Sequence, residues 1–599
     1  MPEILPIRNV AIIAHVDHGK TTLVDALLRQ SGTFRRNEAV PDRVMDSLDL
    51  ERERGITIAA KNCCLEWEGF RINIVDTPGH ADFGGEVERI LSMVDGALLL
   101  VDAAEGPLPQ TRFVVKKALE AKLPLVLIIN KIDRKDARTE QVVDEVFDLL
   151  LDCGADAHYL DSPVVYTNAR AGASTLRIED EPLDMRPVFE AMRDWIPSPL
   201  VELADPLSMI VANLGYSDYV GRLAVGRMKS GTVSVNDQVL IAGEESEHRG
   251  KVLRIYGYEG LKMVELQAAQ AGQIVALAGF ESITIGDTVT SIDTPVVQPR
   301  IYVEEPTVSM VFSSNTSPFS GREGKYVTGS KLKERLFKEG CQNVSLRVEE
   351  GVTPDQFVVS GRGELQLSIL IETMLREGYE MEVGRPKVIE KTIDGQVCEP
   401  FESLMIDIPD IYIGVIRELM AMRKGTMLNM TGFDTGRVRL EFYIPSRGLI
   451  GMRSTFLTIT RGLGILHSIF ERYGPLAGPV PSRVNGALVA DRGGIATAYA
   501  ISGIEQRGRL FIPPGTEVYN GMIVGEHARE NDLDVNIAKL KKLTNMRAST
   551  SDETVILTPP LILSLEAALE WINDNETIEI TPKSIRMRRL YAVRAKLQP

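Results

Sequence analysis

Nine residues, Ala14-His15-Val16-Asp17-His18-Gly19-Lys20-Thr21-Thr22, gather a glycine, a lysine and two threonines in one short segment. Such a set can hold phosphate. Gly19 lets backbone approach closely, and the N–H groups of His15, Val16, Asp17, His18 and the residues after them can face anionic oxygens. Lys20 can meet the β- and γ-phosphates, and Thr21 can ligate Mg²⁺, with Thr22 continuing the first helical turn. Ala14 stands where such loops usually begin with glycine.

Three further segments follow in an order that gives the first one meaning. Ile72-Asn73-Ile74-Val75-Asp76 ends a strand-like run in a carboxylate that can hold Mg²⁺, and Thr77-Pro78-Gly79-His80 follows it. Gly79 can offer its N–H to a γ-phosphate only when one is present. Arg54-Gly55-Ile56-Thr57-Ile58 supplies a second hydroxyl, Thr57, for the metal. Asn130-Lys131-Ile132-Asp133 ends the apolar run Leu125–Ile129. The Asp133 carboxylate can accept both N1–H and the exocyclic amine of guanine, a donor pair that adenine lacks. Singly, Asp76 could end any strand, and Asn130 with Asp133 could form a turn. Together and in this order they read as a GTPase that binds GTP/GDP with Mg²⁺.

The elements that must position these residues are legible as patterns. Up to about residue 200, apolar runs (Val10–Ile13, Ala97–Val101, Leu125–Ile129, Val164–Tyr166) alternate with helix-length amphipathic stretches. That alternation predicts a doubly wound parallel sheet. Trp195-Ile196-Pro197-Ser198-Pro199 breaks it. From 207 to about 300, short β-branched runs separated by glycine and turn pairs predict a small β-barrel. A unit opening at Glu305-Pro306 carries Val358-Val359-Ser360-Gly361-Arg362-Gly363-Glu364 before a helix-like stretch, which predicts an α+β sandwich. A second α+β unit opens near Glu399-Pro400 and echoes the first with Ser446-Arg447-Gly448. Tyr473 to Pro481 reads as a linker, and 482 to 599 as a strand-rich last domain.

Composition bounds the class. A chain of 599 residues with 44% hydrophobic and 6% aromatic content is ordinary globular protein, large enough for several cores. No segment approaches the ~18 uninterrupted apolar residues of a membrane span. The early first strand leads to an expectation of no signal or transit peptide, and five cysteines without metal spacing read as reduced thiols. A cytoplasmic protein without membrane contact is expected. Net charge of -16 disfavours a chain coated with nonspecific nucleic-acid affinity, so RNA contact must come from local patches. Two stretches lack acids: Val535 to Thr550, with Lys539, Lys541, Lys542 and Arg547, and Ile580 to Pro599, with Lys583, Arg586, Arg588, Arg589, Arg594 and Lys596. A solvated basic face is the plain alternative for both.

With these motifs in place, the chain resembles the translational GTPases of the elongation factor G group, through A-H-V-D-H-G-K-T-T, R-G-I-T-I, D-T-P-G-H and N-K-I-D. The tail motifs Gly521-Met522-Ile523-Val524-Gly525-Glu526-His527-Ala528-Arg529, Asp532 to Asn536 and Lys541 to Arg547 resemble the BipA/TypA family. That resemblance implies five domains: a GTP-binding domain over 1–200, a β-barrel over 201–303, two ferredoxin-like α+β domains over 304–386 and 387–480, and a family-specific β-rich domain over 481–599. No tRNA-mimicking fourth domain fits between 385 and 480. The resemblance also implies a ribosome partner, with ribosomal RNA or the acceptor end of an A-site tRNA reached by the loop 541 to 552. It places the chain in large-subunit assembly or in stress and cold growth.

The resemblance assigns His80 to orienting the attacking water beside Lys20, with the ribosome supplying what a slow free enzyme lacks. A monomer is expected. Asn168-Ala169-Arg170 takes the place of a motif that usually begins with serine; its working contact is the Ala169 N–H to the base oxygen, so Asn168 should change little. Two other readings remain: a LepA-type factor, against which the tail motifs argue, and a nucleotide-gated RNA-binding scaffold whose hydrolysis is incidental.

Overall fold

The structure, a computed structural model, describes residues 6–15, 17–32, 51, 53, 61–77, 84–199, 201, 203–217, 219–244, 247–280, 282–300, 305–343, 345–432, 436–480, 483, 485–540 and 557–590. Val16, Thr57, Gly79, His80, Lys541, Lys542 and Arg547 lie outside the described residues. Contacts divide the chain into two compact units, residues 1–305 with 341–345 and residues 306–340 with 346–599.

The first unit is built on a seven-stranded sheet of β1 (Ile7–Ala14), β2 (Lys61–Trp67), β3 (Phe70–Asp76), β4 (Gly96–Asp102), β5 (Leu125–Asn130), β6 (Val164–Asn168) and β7 (Ala173–Thr175). Their order is β2-β3-β1-β4-β5-β6-β7. The inner pairs β3/β1, β1/β4, β4/β5 and β5/β6 are parallel, and the edge strands β2 and β7 are antiparallel to their neighbours.

Continuous apolar runs such as β1 make sense because both faces are covered. Successive residues point to opposite sides. Val10, Ile12, Leu98, Leu100, Val126 and Ile128 pack with Leu23, Leu27 and Phe189, whereas Ala11, Ile13, Leu99, Leu127 and Ile129 pack with Val87, Leu91, Val115 and Val146. Each such side chain fully buried contributes roughly 1.5–3 kcal/mol. Because β1 lies between β3 and β4, the chain crosses over on either side of it. The carboxyl ends of the inner strands therefore meet at a switch point, where open α/β sheets bind ligands.

Within the segment read as a barrel, residues 208–290 form an all-antiparallel eight-stranded sheet and a separate two-stranded one, Thr232–Ser234 with Ala268–Gln270. The larger sheet's Leu223, Val225, Ile274 and Ala276 join the core that contains Val87 and Leu91. Arg227 reaches Asp95 at 2.6 Å, and Asn9 Nδ2 donates to Asp95 Oδ2 at 2.8 Å and to the Gly272 carbonyl at 3.0 Å. A polar set of this kind, largely shielded from solvent, fixes the β-rich segment to the parallel sheet.

In the second unit, strands Val308–Ser314, Arg347–Glu350, Gln356–Gly361 and Met381–Val383 alternate with helices Gly329–Gln342 and Glu364–Glu377. Numbered in chain order they lie 2-3-1-4, the ferredoxin-like arrangement. Strands Gln396–Pro409, Thr426–Gly432, Arg437–Pro445 and Ile465–Pro475 repeat it with helices Ile413–Met422 and Arg453–Ile459. The short sequence echo Ser360-Gly361-Arg362-Gly363 and Ser446-Arg447-Gly448 falls at one place in both, where the third strand hands over to the next helix.

The first of these sheets does not stop at its fourth strand. Met381–Val383 pairs with Ile578–Ile580, so strands Glu576–Ile580, Ile585–Arg589, Met522–His527, Ala487–Ala490 and Leu533–Val535 continue it, and with Lys387–Val388 beside Val308–Ser314 and Gly508–Leu510 beside Met522–His527 the sheet has eleven strands. Phe312, Phe357, Val489, Ile523, Leu569 and Ile578 share one core. Among the described residues no helix is long and apolar enough to cross a membrane.

Candidate functional site

Ala14, Asp76, Asp102, Asn130 and Asn168 all end strands on one edge of the parallel sheet, with Asp102 opposite Asn130 in register. Between Ala14 and the helix Lys20–Gln30 the backbone must turn sharply. Asp17 and Gly19 take the left-handed conformation, with φ of 65° and 95°. A Cβ on Gly19 would lie 2.4 Å from Asn130 Nδ2, so both conformation and space require glycine there.

The base-side residues are tied to this loop. Asn130 Nδ2 donates to the His18 carbonyl at 2.9 Å, while its Oδ1 accepts from Thr167 Oγ1 at 3.0 Å and from the Ala169 N–H at 3.1 Å. The Ala169 donor expected to face a base oxygen is thus held by Asn130. Gly19, Thr22, Asn130, Lys131, Asp133, Asn168, Ala169 and Arg170 line one cleft of about 600 Å³ with the 134 and 171–172 positions. Asp133 is exposed there, its carboxylate open to a ligand.

On the phosphate side, Lys20 Nζ lies 3.1 Å from Asp76 Oδ1 and also donates to the Thr77 carbonyl. Burial pushes the Asp76 carboxyl above the usual carboxylate range, and the Lys20 ammonium opposes that shift. Thr21 follows Lys20 in the first helical turn. Its hydroxyl and the Asp76 carboxylate are hard oxygen donors of the kind Mg²⁺ takes. No group of three or more metal-ligating His, Cys, Asp or Glu side chains occurs among the described residues.

Sequence reasoning passed over Asp102 and Thr167. Asp102 is fully buried, accepts from the Ala104 N–H at 2.8 Å, and pairs with Lys131 at 2.8 Å and Arg134 at 3.0 Å. These contacts hold Lys131 in its left-handed conformation (φ 60°) at the mouth of the cleft. The signal was present: a carboxylate ending a buried parallel strand lies on the ligand edge of the sheet.

His18, read only as part of the loop backbone, is fully buried with Nδ1 3.3 Å from the Leu100 carbonyl. Burial lowers its pKa to about 4, while Leu100 and Asp102 push the other way. Between about pH 6.5 and pH 4 the unfolded chain therefore binds a proton that the folded one does not. Stability should fall as pH drops through that window, by up to ~3 kcal/mol, and level off below it. Urea unfolding at pH 7 and pH 4.5 should show a larger acid loss for wild type than for His18→Asn; equal losses would refute the assignment.

The two basic stretches fare differently. Lys539 is exposed, and its carbonyl accepts from Thr497 Oγ1 at 2.6 Å. Arg586, Arg588 and Arg589 are not a free basic face. Arg586 pairs with Glu323 and Glu579, Arg588 with Glu382, and Arg589 with Asp534. Acids absent from that stretch of sequence arrive from neighbouring strands and from the connection after Ser314.

Comparisons with known proteins agree with this layout. Residues 5–269 match the elongation factor Tu GTP binding domain, 396–484 the elongation factor G C-terminus, and 485–594 the TypA/BipA C-terminal domain. The chain is 52% identical to proteins named large ribosomal subunit assembly factor BipA. In Synechocystis sp. the match covers 98% of both chains; in Bacillus subtilis and Escherichia coli K12 it covers 97% of this chain and 96% of theirs. A crystal structure of a protein from Thermus thermophilus aligns with a TM-score of 0.55 at 16% identity, over 79% of this chain and 97% of that one, a likeness of fold alone.

Proposed function

The chain belongs to the TypA/BipA family of translational GTPases, and from that premise we propose that it hydrolyses GTP on the ribosome and acts in large-subunit assembly. The observation that supports this most is the convergence of Gly19, Lys20, Asp76, Asn130 and Asp133 on one sheet edge, in a chain whose C-terminal segment 485–594 matches the family-specific domain.

In this reading His15 to Thr22 cradle the phosphates, and Lys20 leaves Asp76 for the β- and γ-oxygens. Asn130, Lys131, Asp133, Asn168, Ala169 and Arg170 surround guanine. Thr21, Thr57 and Asp76 would hold Mg²⁺, which would neutralise charge on the phosphates. Gly79 donates to the γ-phosphate, and His80 orients the attacking water. Phosphoryl transfer is chiefly positioning and charge stabilisation, and in this reading the free enzyme turns over slowly until the ribosome supplies the stabilisation it lacks. The chain works in this account as a cytoplasmic monomer, in translation under stress or cold. The LepA-type reading is not favoured, since the tail carries the TypA/BipA C-terminal domain.

GTP turnover with and without intact ribosomes tests the central statement, and the loop 541 to 552 tests the contact. We expect ribosomes to stimulate turnover by at least ~10². Replacing Lys541, Lys542 and Arg547 by Ala should weaken ribosome binding and flatten its salt dependence by up to roughly 0.7–0.9 log units for each phosphate no longer neutralised. GDP affinity should not change. Pelleting across a salt series with a non-hydrolysable GTP analogue reads both. Unstimulated turnover with intact binding would favour the scaffold reading, and a wild-type slope would make the loop a solvated basic face.

A further inference from the structure

Away from the nucleotide site, the second unit holds a cleft of about 610 Å³ where three chain segments meet: the stretch after Val383, the second ferredoxin-like fold, and the helix Leu565–Trp571. That volume is in the range of small-ligand sites. Its cations are unequally satisfied. Arg447 is held by Glu399, and Arg483 by Glu576 at 2.9 Å while stacking 3.8 Å over the Trp571 ring. Among the described residues Arg423 donates only to the Gly448, Ile450 and Gly451 carbonyls, at 3.0, 2.8 and 3.4 Å.

Arg385 has no hydrogen-bond or ion-pair partner among the described residues, although it is half-buried in the cleft wall. It also lies close enough to Arg423 to matter electrostatically. Burial pulls the Arg423 guanidinium below its ordinary value, Glu570 opposes that, and Arg385 adds to it as a like charge. Two guanidiniums lining one cleft are half of an anion site. Glu570 lies on the same wall and can only accept hydrogen bonds. The Trp571 indole N–H is shut off from solvent and has no acceptor among the described residues.

We propose that this cleft binds a nucleoside phosphate, its phosphate between Arg385 and Arg423 and its sugar hydroxyls toward Glu570. The phosphate belongs either to a free nucleotide or to an RNA end, which share this chemistry. The guanine filter at Asp133 plays no part, so the base need not be guanine.

The chain has three tryptophans, Trp67, Trp195 and Trp571. With Trp67→Phe and Trp195→Phe, emission reports on Trp571 alone. The guanine site is filled with one equivalent of GDP, so that no excess reaches this cleft, and CMP, inorganic phosphate and a 5′-phosphorylated tetraribonucleotide are titrated in turn. A saturable change with CMP is expected, with affinity falling at least about tenfold in Arg385→Ala and less in Arg385→Lys. GDP affinity and the thermal unfolding midpoint should stay at the wild-type level. Calorimetry on the unsubstituted tryptophan background repeats the measurement should the two replacements disturb the fold. Tighter binding of the oligonucleotide, with the same dependence on Arg385, assigns the phosphate to RNA; tighter CMP assigns it to a free nucleotide. No CMP binding by either method, or binding indifferent to Arg385, overturns the proposal.

Discussion

Asp133→Asn should cost GTP at least about 10² in affinity and pass the site to xanthosine triphosphate. The carboxylate stands exposed at the rim of the cleft, while its neighbours are engaged elsewhere: Asn130 holds the His18 carbonyl, Thr167 and the Ala169 N–H, and Lys131 is held by Asp102. Asp133 is therefore free to accept both guanine donors, and two charge-assisted bonds at roughly 1.5–3 kcal/mol each set the size of the loss. An amide there offers one donor and one acceptor, which suits the xanthine carbonyl. Because Asp133 has no hydrogen-bond or ion-pair partner among the described residues, folding should be untouched. Competition of GTP and XTP for the variant decides the matter: undiminished preference for guanine would remove Asp133 from base selection.

That expectation rests on residues readable in the sequence alone. The phosphate loop, the strand end at Asp76 and the run into Asn130 declare themselves because parallel strands buried on both faces must be apolar throughout, so the first polar residue after each marks the ligand edge. Asp102 obeyed the same rule and was passed over because its partners, Lys131 and Arg134, come from the next strand's end. Local sequence shows which side chains leave a strand. It does not show which ones meet.

The second unit makes the same point at larger scale. Both ferredoxin-like folds were legible as α+β patterns, and their short echo marks equivalent positions. The eleven-stranded sheet was not legible, because nothing near Met381–Val383 announces that Ile578–Ile580 will pair with it. That pairing also explains why counting charges along the last stretch misleads. Arg586 and Arg588 read as an acid-free run, yet the joined sheet presents Glu579 and Glu382 to them, and Glu323 comes from the connection before the helix Gly329–Gln342. A charged pair shielded in this way is strongly destabilised by losing one partner. These arginines therefore secure the sheet, while Lys583 of the same stretch is exposed and Arg594 and Lys596 lie outside the described residues.

His80→Ala should leave GTP affinity nearly unchanged and lower ribosome-stimulated turnover by ~10² or more. In the proposed mechanism His80 acts on the attacking water, which contributes nothing to ground-state binding. In that mechanism the nucleotide is held by Lys20 beside Asp76, the loop ending at Gly19, and the cleft around Asn130. Removing an interaction made only in the transition state lowers kcat and kcat/KM together and spares the dissociation constant. Because the free enzyme lacks the partner's contribution, its slow basal rate should respond far less to the same change. Single-turnover hydrolysis with and without ribosomes, beside equilibrium binding of a non-hydrolysable analogue, separates these effects. Parallel losses in affinity and turnover would make His80 a structural residue of the segment after Asp76, and the search for the group that orients water would turn to other side chains near the γ-phosphate.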